Sequence, residues 1–227
     1  MDRWRRLARL ARFGRQDDNA ELAMALWEKW CDLWTRLKCK GDSQEQYARL
    51  ETLYSEPNRS YHNLEHIEGC LDLLDEVRVE CKNPEQVELA IWFHDAVYDA
   101  RRADNEKQSA LMAESVAVDA GLPPETASRV ADLVLATRHD GIPADSDAQL
   151  LVDIDLAGLG RTFDQFKQTG ALVRREFDWL DDETFYQNQA ELFRRLLDRP
   201  SIFFTEYFRS RFERQARENL QKILDNS

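Results

Sequence analysis

Apolar side chains recur every three or four positions along most of this 227-residue chain, and few helix-breaking residues interrupt them. Between Asp17 and Lys40 the stripe reads Leu22, Leu26, Trp30, Leu33, Trp34 and Leu37, the spacing of one helical face. Glycine numbers 8 and proline 6, about half the usual share of each. Strands joined by tight turns need more of both, so the pattern argues against an all-β sandwich and predicts an all-α protein. Helices are expected near residues 17–40, 43–54, 62–80, 105–120, 124–138, 147–159, 162–177, 183–198 and 201–224. One more starts at Asn83-Pro84, and Val87, Ala90, Ile91 and Val97 make it the most apolar. No repeat or Gly/Ser linker divides the chain. The organisation expected is a single helical bundle, residues 55–227, with long C-terminal helices and residues 1–54 as an N-terminal helical extension packed on it.

Charge narrows the partners. With 43 acidic against 31 basic side chains the formal net charge is −12, and an acidic surface offers little to release counterions from nucleic acid, so none is expected as a partner. The opening segment MDRWRRLARLARFGR is the local exception, with Arg3, Arg5, Arg6, Arg9, Arg12 and Arg15 against Asp2 alone. Its Trp4, Leu7, Leu10 and Ala11 fall near one face, which suits an anionic membrane surface or a partner groove; a peripheral basic helix is the plainer reading. The longest apolar run, Leu89 to Phe93, is far short of the ~20 residues of a membrane span. The N-terminus lacks the apolar region of a secretory signal. Cys31, Cys39, Cys70 and Cys81 form no C-x-x-C pair and read as small apolar groups in a reducing compartment, so a cytoplasmic protein is expected.

The 4 histidines, His62, His66, His94 and His139, fall in the middle of the chain. His94-Asp95 sits within AIWFHDAVYD, so a helix there takes an imidazole and a carboxylate into apolar surroundings. A buried carboxylate without a compensating charge costs several kcal/mol, and a divalent cation is one group that neutralises it. His62 begins the preceding expected helix, and Asp153 and Asp155 lie in LLVDIDLAGLG. A His, a His-Asp pair and a later carboxylate form a mixed nitrogen–oxygen donor set suited to Mn²⁺, Fe²⁺, Co²⁺, Ni²⁺, Zn²⁺ or Mg²⁺. Taken alone, His94-Asp95 also fits a structural hydrogen-bonded pair, His139 a helix C-cap, and Asp153 a helix cap. Trp27, Trp30 and Trp34 have core spacing, and Phe203, Phe204, Tyr207, Phe208 and Phe212 suit a core or a dimer contact.

The order His, His-Asp, Asp resembles the HD superfamily of metal-dependent phosphohydrolases. The stretches RSYHNLEHI, AIWFHDAVYD, DNEKQSA, ATRHD and DIDLAGLG are similar to a bacterial branch of predicted HD phosphohydrolases, over about residues 59–160. The resemblance implies an HD-type bundle and one divalent ion on His62, His94, Asp95 and Asp155. His66, one turn after His62, is the rival first ligand or a group acting beside it, and Asp153 is the rival to Asp155. Glu106 and Asp153, with His66, are the implied catalytic candidates, with Asp99 a further carboxylate able to orient water. Arg59, Asn105 and His139 are the implied substrate contacts, and Arg101, Arg102, Lys107 and Arg138 lie close in sequence.

The implied reaction is hydrolysis of a phosphoester or phosphoanhydride of a small metabolite, a nucleotide foremost, by metal-bound water. A homodimer is a candidate assembly. The alternative is a non-catalytic HD domain that binds a nucleotide or partner protein in a regulatory role. His139 alone between the dyad and the last Asp falls short of a dinuclear histidine set, which argues against an HD-type oxygenase.

Overall fold

The computed structural model describes residues 16–226, and the Arg-rich opening segment lies outside them. Ten helices and short connecting turns make up the described chain, which contains no strand. They are α1 (Gln16–Arg36), α2 (Ser43–Tyr54), α3 (Leu64–Val77), α4 (Pro84–Phe93), α5 (Asn105–Asp119), α6 (Pro124–Ala136), α7 (Ser146–Leu156), α8 (Phe163–Glu176), α9 (Asp182–Leu197) and α10 (Arg214–Leu224). The protein is all-α, as its periodicity predicts. Local chemistry sets most helix starts. Asp42, Asn63, Asp145 and Asp181 accept backbone N–H groups at the N-termini of α2, α3, α7 and α9, and Thr162 and Gln165 form a reciprocal capping box on α8. Pro84 and Pro124 occupy the first turns of α4 and α6, where a missing N–H is harmless.

The centre is α4. From Val87 to Phe93 every residue is buried, so this helix is apolar on all sides and neighbours α1, α3, α5, α6 and α7. Its one buried charge, Glu88, receives Arg36 Nη2 and Arg78 Nη2, each at 2.7 Å. Trp30 of α1 packs edge-on against Trp92 of α4 with ring centroids 5.4 Å apart, and the Tyr54 hydroxyl of α2 donates to the Trp92 carbonyl at 3.0 Å. Leu26, Trp30, Leu33, Leu50 and Tyr54 belong to the same apolar core as α3–α7, so α1 and α2 share the core with the bundle.

Two expected helices differ from the structure, and both differences place functional groups. Helix α4 stops at Phe93, so His94 and Asp95 stand in the turn at its C-terminus rather than within it. The carbonyls of Asp95 and Ala96 accept from Arg59 at 2.5 and 2.9 Å, which satisfies groups that helix ends leave unpaired. The expected helix 201–224 begins late. Ile202 and Phe203 N–H groups donate to Glu213, and Phe204 and Thr205 N–H groups donate to Asp153. Two carboxylates thereby hold residues 202–205 out of a helix. The chain re-enters helix through one turn, Glu206–Phe208, and a π-helical segment, Arg209–Glu213, before α10.

Candidate metal centre

One helix face and two helix ends meet here. Helix α3 brings His66, the turn after α4 brings His94 and Asp95, and the last turn of α7 brings Asp155. His66 Nε2 and His94 Nε2 are 3.1 Å apart. Asp95 Oδ2 lies 3.1 Å from His94 Nε2 and 3.6 Å from His66 Nε2. Asp155 Oδ1 lies 3.4 Å from His66 Nε2 and 3.6 Å from His94 Nε2. Donors bound to one ion at about 2.1 Å stand roughly 3.0–3.4 Å apart in octahedral or tetrahedral arrangements. Three of the spacings fall within that range, and the two at 3.6 Å lie just beyond it.

The tautomer of His94 suits the same chemistry. Its Nδ1 lies 2.8 Å from the Ile91 carbonyl, which can only accept, so Nδ1 carries the hydrogen. Neutral His94 therefore presents a lone pair on Nε2 toward the cluster. Electrostatics favours positive charge here. Burial opposes a charged His94, but Asp95 and then Asp155 outweigh it and hold its pKa well above the usual imidazole value. Burial likewise opposes ionised Asp95, yet His94 and His62 bring its pKa below the usual carboxylate range. Asp155 is also lowered well below that range, against burial, by His139, His66 and His94. Two carboxylates and converging imidazole nitrogens fit a divalent cation.

Cys70, one turn after His66 on α3, completes a second set: single donor atoms of His66, Cys70 and His94 all lie within 4.8 Å of one another. Its Sγ is 3.7 Å from His66 Nε2. Burial, then Asp155 and Asp95, push the thiol pKa well up, so Cys70 stays protonated and is a weaker donor than either carboxylate.

His62 stands beside the cluster rather than in it. Its Nδ1 lies 2.6 Å from Glu176 Oε2, and its ring stacks on Tyr98 at 4.3 Å. Among the described residues it pairs with neither Asp95 nor Asp155. The difference from expectation arises because Asn63, not His62, caps α3, leaving His62 in the preceding loop and His66 on the inward face. Asp153 likewise faces away from Asp155: its oxygens accept the Phe204 and Thr205 N–H groups and the Thr205 hydroxyl, each at 2.7 Å. Two positions along a helix is about 200°, enough to point the two carboxylates to opposite sides. Burial raises the Asp153 pKa to about 6 despite those donors.

Arg59 is not free to meet a substrate. Its side chain is fully buried, donates to the His62, Asp95 and Ala96 carbonyls, and pairs with Glu56. It straps the loop before α3 to the turn that carries the dyad. Asn105 accepts from the Asp99 N–H at 3.1 Å and donates to the Asp99 carbonyl at 2.9 Å, closing the loop before α5. Glu106, in the first turn of α5, makes no ion pair or side-chain hydrogen bond to the cluster among the described residues. His139 does reach it. It adopts a left-handed backbone, φ +58°, and sets Nε2 3.0 Å from Asp155 Oδ2 while Arg199 donates to its carbonyl. Left-handed backbone is uncommon outside glycine. His139 thus orients Asp155, with Oδ1 left toward the two imidazoles.

Glu176, at the end of α8, is the supporting residue the sequence did not single out. It accepts the Tyr61 and His62 N–H groups at 2.7 and 2.9 Å, and the Tyr98 hydroxyl at 2.9 Å, besides facing His62 Nδ1. Burial disfavours its charge, but these donors, His62 first, keep its pKa below the usual value. It sits among Arg174, Arg175 and Asp178, so no local pattern marks it as buried. A cleft of about 140 Å³ opens on His66 and Asp155, walled by Tyr61, Cys70, Gly158 and Arg161. The chain matches no protein-family model, no curated protein and no solved structure.

Proposed function

We propose that the protein is a metal-dependent phosphohydrolase of the HD type that acts on a phosphoester or phosphoanhydride of a small metabolite, a nucleotide being the first candidate. The single observation that carries this reading is the convergence of His66, His94, Asp95 and Asp155 donor atoms at 3.1–3.6 Å beside an open cleft. His66, rather than His62, is the first imidazole of the set, and Asp155, rather than Asp153, the last carboxylate. When bound, a divalent ion supplies a Lewis acid for the phosphoryl oxygen and lowers the pKa of a water.

The chain's own residues arrange that chemistry. Ile91 fixes the His94 tautomer, and His139 turns Asp155 toward the imidazoles. Arg59 locks the Asp95 turn to the loop before α3, and Glu176 anchors that loop from α8. Such outer contacts orient ligands and tune them.

The test is metal analysis followed by phosphate release. One Mn²⁺, Co²⁺ or Ni²⁺ ion per chain and hydrolysis of at least one member of a nucleotide and sugar-phosphate panel are expected, with Asp95→Ala abolishing both. A folded, metal-loaded protein silent on every phosphoester and pyrophosphate overturns the catalytic reading. Nucleotide binding without turnover, with the nucleotide recovered unchanged, points instead to a regulatory domain.

A further inference from the structure

Arg161 follows Asp155 by one short 3-10 segment, Ala157–Gly160, and lines the cleft beside the cluster. It is the only lysine or arginine among the described residues of that lining. Other half-buried arginines of the molecule are neutralised: Arg36, Arg78 and Arg129 each meet at least two carboxylates. The Arg161 side chain has no carboxylate partner and no hydrogen bond among the described residues. Its backbone, by contrast, is firmly held. The Arg161 N–H donates to the Gly158 carbonyl, and its carbonyl accepts from buried Asn219 of α10 at 2.8 Å. Asn219 also donates to the Leu159 carbonyl at 2.8 Å. The side chain is therefore presented from a fixed base into the cleft that Tyr61 and Cys70 wall beside His66.

Charge balance gives this cation a role. Asp95 and Asp155 together offset one divalent ion and Glu65 adds a further carboxylate to the lining, so a phosphoryl dianion entering the cleft still lacks a counter-charge. A guanidinium matches phosphate oxygens with two parallel N–H donors. We propose that Arg161 is the anion-anchoring residue of the cleft, binding the phosphoryl oxygens of a compact phosphomonoester whose phosphorus lies at the His66–His94–Asp95–Asp155 cluster. The cleft, about 140 Å³ and open to solvent, has room for a phosphoryl group with a small adjoining group inside it. Gln168 and Thr169 of α8 supply uncharged polar walls for that group. The assignment rests on the phosphohydrolase reading for its substrate class, but not for the anion site itself.

Inorganic phosphate is the probe, titrated calorimetrically into Mn²⁺-loaded and into metal-free full-length protein. Arg161→Gln is expected to weaken phosphate binding by at least about tenfold, the scale of one charged hydrogen-bonded pair. Arg161→Lys restores part of it. Lys167→Gln, the same loss of charge on the exposed side of α8, leaves it unchanged. Mn²⁺ affinity and the circular-dichroism melting curve of Arg161→Gln match the wild type. Wild-type protein that binds no phosphate, or Arg161→Gln binding within about twofold of it, overturns the assignment. Failure to take up Mn²⁺, with Arg161-dependent phosphate binding retained by the metal-free protein, removes the metal reading and leaves the anion site standing.

Discussion

Asp153 and Asp155 are two residues apart on α7, and their surroundings give them opposite tasks. Asp155 faces three imidazoles, whereas Asp153 holds the backbone of Phe204 and Thr205. Asp155→Asn is expected to weaken Mn²⁺ binding by at least about 100-fold in calorimetry while the fold persists, since a ligand loss exceeds the 10–100-fold typical of outer-contact mutations. Asp153→Asn should leave metal uptake intact and lower stability in urea melts by about 1–3 kcal/mol, because amide nitrogen cannot accept the N–H groups it faces. The reverse pattern would exchange their roles. Arg59→Lys makes a similar distinction. A substrate contact would raise KM alone, but a buried strap with four acceptors cannot be replaced by an ammonium. A loss of about 3 kcal/mol in unfolding free energy is expected.

The elements that place the site are short and tightly seated. At Gly160, an added Cβ would meet Phe212 Cβ at 2.5 Å and the Phe212 carbonyl oxygen at 2.8 Å. Gly160→Ala must therefore push the 3-10 segment after α7 away from the segment before α10, and about 1–3 kcal/mol of destabilisation in thermal or urea unfolding is expected. At the other side of the same contact, Glu213 accepts from Ile202, Phe203, Ser201 and Arg217. Burial would raise its pKa, but the Ile202 and Phe203 N–H groups, then Arg217 and Ser201, bring it below the usual value. Its stabilising effect is therefore present above the unfolded-state pKa near 4.3 and is lost as pH falls through the lower folded value. Urea midpoints should drop between pH 5 and pH 3, and Glu213→Gln should flatten that drop. Sequence periodicity located nearly every helix here, yet it ran 201–224 as one helix. The reason is that residues 202–205 are held out of helix by side-chain carboxylates, Glu213 about three turns on and Asp153 about 50 positions back, and apolar periodicity does not register such contacts.

For the whole molecule, the donor cluster couples metal binding to folding, because the four donors lie on three separate stretches of chain and converge only in the native state. A ligand that binds only the folded form adds about 2.7 kcal/mol at 100 times its Kd, which corresponds to a rise of roughly 5–10 °C in Tm for a chain of this size. Saturating Mn²⁺ should raise the melting temperature of the wild type by that amount, EDTA should reverse it, and Asp155→Asn should show no shift. An equal shift in Asp155→Asn would place the ion elsewhere. Among the described residues, no helix is long and apolar enough to cross a membrane.

Helical class and the chemical character of His94-Asp95 follow from the sequence, because each depends on neighbours within a turn or two. The apolar residues around the dyad already implied a buried charge needing a partner. Which histidine joins it was a tertiary matter. His62 and His66 share the expected spacing, and the Asn63 cap, together with Glu176 arriving from more than 100 positions away, turns His62 toward Glu176 and leaves His66 facing His94. The same holds for Asp153 against Asp155, separated by which loop folds onto each face of α7. Arg59 and Arg161 carry equal charge in the sequence. Packing buries one among carbonyls as a strap and leaves the other facing the cleft, because burial and hydrogen-bond partners belong to the folded surface and not to the residue.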